Sequence, residues 1–160
     1  MAAPTLVGQA LATTAGSSFT TASLSPASGT LLLWVLTGGA NPTVAVQPST
    51  VTGLGLTWTH VEGATYSTGR VRADLYTARG TPTPGTITIS YPSRMSRIIW
   101  SVHHTDDVIA QAASASVSRA TTTVTLPHAP AGEVVSGVVP NTNNYTPTGN
   151  QGQSAYGTAI

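Results

Sequence analysis

The sequence predicts an all-β fold: a two-sheet antiparallel sandwich, jelly-roll-like, with about eight short strands and a polar C-terminal arm. Three observations predict it. Threonine supplies 28 of the 160 residues, and Thr, Val, Ile and aromatic side chains suit a pleated strand better than a helix. Sixteen Gly and 11 Pro interrupt the chain every few residues, which marks turns between short strands. Between those turns, apolar and polar residues alternate with the period of two that a half-buried strand requires.

Taken in order, residues 6–14 read as a first strand, apolar at Leu6, Ala10 and Ala12, and 19–24 as a short alternating piece. A Pro-Ala-Ser-Gly turn follows. Residues 30–37, T-L-L-L-W-V-L-T, are apolar on both faces, the mark of a central strand covered on both sides. Residues 43–46 are a brief strand or a loop, with Pro48 limiting them to an edge. Residues 56–62 alternate, with Leu56, Trp58, His60 and Glu62 on one face. Residues 71–78 alternate as well. The G-T-P-T-P-G turn at 80–85 leads into a strand at 86–91, which Pro92 is expected to end, and 97–104 forms the next strand. Residues 108–118 read as a linker or a short helix, 122–126 and 133–139 as strands, 141–153 as a polar arm, and 154–160 as a last short strand. The domain spans 1–139 and the arm 140–160.

Composition narrows function. Charged residues are 7 % of the chain, against roughly 25 % in an ordinary soluble domain. Lysine is absent, all six basic residues are Arg, and the net charge is +1. No broad electrostatic footprint for nucleic acid exists. Cysteine is absent, which excludes disulfides and thiolate metal sites. The first residues lack the charged and apolar regions of a secretory leader. The longest apolar run, 31–36, is far too short to span a bilayer. A neutral, Thr-rich surface suits a protein packed in an assembly.

The segment T-T-x-x-L, a Pro/Ala/Gly turn, then L-L-x-x-V begins at Thr20 and recurs about a hundred residues later, from Thr122, as T-T-x-x-L and V-V-x-x-V. Two such copies fit a sandwich whose halves reuse one strand–turn–strand unit. The succession P-A-S-G-T-L-L-L-W-V, L-T-W-T, V-R-A-D-L-Y-T-A, T-I-T-I-S-Y and I-I-W-S-V-H-H-T-D-D-V resembles the β-sandwich domains of bacteriophage virion proteins, both capsid decoration and tail-associated. The resemblance covers roughly residues 18–139. It departs after Val139, where such domains commonly continue into further strands. That departure suggests that the arm, or the final S-A-Y-G-T-A-I, pairs with a neighbouring subunit.

Several side-chain sets invite chemistry. His103, His104, Asp106 and Asp107 lie within five positions and offer metal ligands, with His60 or His128 to complete a set. The alternative is a turn in which Asp caps backbone N–H groups, since adjacent strand residues point to opposite faces. Ser101, His103 or His104, and Asp106 contain the residue types of a hydrolytic triad, without a nucleophile elbow. Glu62 and Asp74 are a possible carboxylate pair for glycoside hydrolysis. Five of six arginines fall between Arg70 and Arg97, with Arg70, Arg72 and Asp74 on one strand face. They read as a docking surface or as an ordinary solvated face. Trp34, Trp58 and Trp100 sit in apolar strands and read as core. Tyr66, Tyr145 and Tyr156 sit in polar segments, where they suit partner contact.

The expectation is therefore a non-enzymatic virion structural protein without cofactor or metal. The resemblance implies a capsid decoration protein on the outer surface of a phage head, with the major capsid protein as partner. A homo-oligomer follows by analogy, a trimer where the site has three-fold symmetry. No nucleic acid or membrane partner is expected. The residues expected at partner contacts are Arg70, Arg72, Arg94, Arg97, Asn143, Tyr145 and Tyr156. The alternative is a tail or fibre protein that binds host carbohydrate.

Overall fold

The computed structural model describes residues 4–39, 44–66 and 69–106. These form eight strands and no helix: β1 (Thr5–Ala12), β2 (Gly16–Thr20), β3 (Gly29–Gly39), β4 (Thr50–Gly53), β5 (Leu56–Thr57), β6 (Thr59–Tyr66), β7 (Val71–Gly80) and β8 (Ile87–Thr105). All pairings are antiparallel, and the strands make one curled sheet, a half-barrel. The all-β expectation holds. The readings at 108–118, 122–126, 133–139 and 154–160, the arm, the domain boundary and the second copy of the repeat lie outside the described residues.

The 19-residue β8 is the spine. Its first part runs between β2 and β4 (Phe19 and Val51 both face Ile89), and its last part runs between β1 and β3 (Ala10 and Val35 both face Trp100). The expectation that Pro92 ends a strand is corrected here. The ladder with β2 jumps from Ser90 to Met95, and the ladder with β4 stops at Ser90. Pro92 thus falls in an irregularity where no partner strand requires its missing N–H, the one kind of place a long strand tolerates proline.

β3 is central, with β8 on one side and β7 on the other, as its two apolar faces demand. Leu31, Leu33 and Val35 point into the main core with Phe19, Leu24, Leu54, Tyr76, Ile87, Ile89, Tyr91, Met95, Ile98, Trp100 and Val102. Leu32 and Leu36 alternate onto the opposite face, as does Leu75 across from Trp34. All three leucines are buried, yet they stand outside the main cluster.

The expected single strand at 56–62 is two pieces. β4 and β5 form a hairpin in which Gly53 faces Leu56, so Leu54 and Gly55 are its two-residue loop. Both have positive φ, 58° and 67°, as a type I′ turn requires. Leu54 is an uncommon occupant of the left-handed region. Its side chain is buried in the core, and that burial, about 1.5–3 kcal/mol for a leucine, offsets the backbone cost of about 1–2 kcal/mol. β4 itself was not legible as a strand. Residues 44–48, by contrast, form a loop.

Candidate functional site: a buried ion-pair network at the β6–β7 corner

The ladder between β6 and β7 builds the site. His60 faces Tyr76, but Glu62 faces Leu75, so Val61 is an extra residue, a bulge. The bulge moves Glu62 to the face opposite His60, against the expected alternation, and brings Gly63 opposite Asp74. A side chain at Gly63 would collide with Asp74 Oδ1 and come within 2.5 Å of Arg72 Nη2. Glycine leaves the space in which those two groups meet.

Asp74 is fully buried, which is costly for a carboxylate unless its oxygens are paired. They are. Arg72 Nε donates to Oδ1 and Oδ2 at 3.0 and 2.8 Å, and Nη2 donates to Oδ1 at 2.8 Å. His60 Nε2 donates to Oδ1 at 2.9 Å. Arg72 Nη2 also reaches Gln47 Oε1 at 3.3 Å. The His60 ring stands edge-on to Tyr76, with centroids 5.0 Å apart, and the Tyr76 hydroxyl donates to the Pro48 carbonyl at 3.2 Å. Burial, then the Asp74 charge, pushes the Tyr76 phenol up to about 12. Further along the core, Tyr91 and Thr37 share a hydrogen bond of 2.5 Å, and burial raises the Tyr91 phenol strongly. Every buried side-chain polar atom among the described residues has a partner. The network is saturated, with Asp74 held by Arg72 and His60 on the carboxylate's own atoms.

The other expected sets separate. Glu62 and Asp74 lie on opposite faces of the sheet, and Glu62 Oε1 accepts from the Gly63 N–H at 3.0 Å. His103 and His104 point to opposite faces of β8. His104 Nε2 donates to the Ser28 carbonyl at 2.9 Å and lies 3.7 Å from the exposed Asp106. His103 meets Ser101 Oγ at 3.2 Å, the shared face expected of them, and burial holds its imidazole below the ordinary 6.5. Asp106 therefore stands by the wrong histidine for a triad with Ser101 and His103. Among the described residues no three His, Asp or Glu side chains converge as metal ligands. Asp107 and His128 lie outside those residues.

Of the arginines, Arg72 is turned onto Asp74 rather than outward. Arg70, Arg94 and Arg97 are exposed. Arg97 flanks Gly38 from one side and Val71 from the other, which puts Arg97 and Arg70 at the same end of the sheet. Trp100 is buried, as expected. Trp58 packs half-buried on the core with its indole N–H on the Gly53 carbonyl at 3.2 Å, and Trp34 is half-buried on the opposite face. Asn143, Tyr145 and Tyr156 lie outside the described residues. The Arg72–Asp74–His60 network was legible only in part: the i, i+2 spacing of Arg72 and Asp74 was visible, whereas His60 joined them from across the β6–β7 ladder, a pairing with no sequence signature.

Comparison with known proteins finds no matching family model, no matching curated protein and no matching solved structure. No helix among the described residues is long and apolar enough to cross a membrane.

Proposed function

We propose that this chain is a non-enzymatic structural protein of a virion, a capsid decoration protein that stabilises a phage head by binding its outer surface. One observation carries the reading. No side chain before His60 is ionisable, so β1 to β5 present a neutral surface on a body knitted to one long strand. Such a surface binds through buried area and main-chain pairing rather than charge. The exposed Arg70 and Arg97, at one end of the sheet, supply bidentate donors for acidic groups of a shell protein.

The sandwich form of the fold belongs to the same proposal. Leu32, Leu36 and Leu75 are buried on the face away from the main core, the face that a second sheet would cover in a sandwich. The test uses empty, expanded shells assembled from the major capsid protein encoded in the same genome. The purified chain is expected to co-sediment with them and to raise their melting temperature. Absence of binding, or a copy number in virions matching a tail ring, overturns the reading.

A further inference from the structure

We propose that β1 is a self-pairing edge, through which two copies of this chain join antiparallel about a two-fold axis at Gln9. Natural sheets guard their open edges with charge, proline, bulges or extreme shortness. Among the described residues, the other outer strands carry such devices. β6 has Glu62 and the Val61 bulge, and β5 is two residues long. β2 is broken by an irregularity in its ladder between Gly16 and Ser18. β1 is eight residues long and reads T-L-V-G-Q-A-L-A, with neither charge nor proline. Its ladder partner among the described residues is β8 alone. Its one bulge, at Val7, lies near the start and turns Val7 toward the core. Gly8 to Ala12 continue without interruption.

The side chains on this edge fit a copy of themselves. Leu6 and Leu11 are 37 % and 43 % exposed, and Gln9 and Ala10 between them are exposed too. A two-fold axis perpendicular to a sheet brings one residue opposite its own copy. A charged residue there would repel itself. The Gln9 amide both donates and accepts, so it is complementary to a second Gln9. Leu11 then gains apolar cover from the partner strand. With no ionisable side chain before His60, two such edges approach without like-charge repulsion. A closed two-fold interface of this kind is also the commonest form of homo-oligomer.

The proposal names the self-association surface of the structural reading but stands on the edge alone. A chain that dimerises through β1 and binds no shell keeps this inference and loses the other. The test is sedimentation equilibrium of the whole chain, with two variants. The unmodified chain is expected at twice its 16.2 kDa mass. Leu11→Lys, at an exposed position, is expected to weaken association about tenfold or more, because each added charge sits at the pairing seam. The chain has no cysteine, so Gln9→Cys under mild oxidation is expected to trap a disulfide-linked dimer, while Thr81→Cys at the exposed β7–β8 turn is not. A monomeric chain overturns the proposal. So does a dimer indifferent to Leu11→Lys, or cross-linking equal at the two cysteine positions.

Discussion

The charge-free strands β1 to β5 and the β6–β7 corner solve opposite problems in one sheet. Before His60 there is nothing to ionise, and those strands rest on apolar burial and ladder hydrogen bonds. At the corner, a carboxylate with no solvent exposure is held by an arginine and a histidine. Apolar packing degrades gradually when a methylene is lost. A buried ion pair fails at once when one partner goes, because the other is left charged and unpaired. Most of this molecule should therefore tolerate substitution, and one corner should not.

The largest expected effect is at Asp74. Asp74→Asn strips the charge from the acceptor of Arg72 and His60, with an expected loss of about 3–5 kcal/mol in chemical denaturation. A loss below about 1 kcal/mol would place the corner with the rest of the sheet. Gly63→Ala comes next. The added methyl meets Asp74 and Arg72, and an overpacking cost of about 1–3 kcal/mol is expected. Tyr91→Phe should cost about 1–2 kcal/mol by leaving the Thr37 hydroxyl unpaired in the core. The double variant with Thr37→Val should recover part of that loss, and a double-mutant cycle gives the coupling.

Two pH effects are smaller and of opposite direction. The folded state holds the Tyr76 proton to about pH 12, against an ordinary 10. Above pH 10 the unfolded chain gives up that proton first, so stability should fall between pH 10 and 12. Tyr76→Phe should flatten part of the slope in denaturant midpoints. His103 behaves conversely. Its folded value lies below 6.5, so below that pH the unfolded chain binds the proton more readily and stability falls with acid. His103→Gln should remove that component.

The all-β class was legible because Thr, Val and Ile at period two leave few alternatives. The central strand was legible because Leu31 to Leu36 are apolar on both faces. The proline stop at 92 was not, because what a proline does depends on whether a partner needs its N–H, and that is a property of the neighbouring strands. Nor was the hairpin at Leu54, where a buried side chain holds a residue in a conformation its own preference disfavours. The candidate site divides in the same way. Arg72 and Asp74 shared a face on inspection, yet their reading as a docking surface assumed that they faced outward.

The sequence by itself determined the all-β class, the central strand and the lack of ionisable side chains before His60. These follow from residue type and spacing, which act locally. Tertiary structure decided the rest. It joined two apparent strands into β8, sent Glu62 and His60 to opposite faces, and made Arg72 the internal partner of Asp74. Each depends on register between distant segments, and one inserted residue, Val61, was enough to redirect every side chain after it.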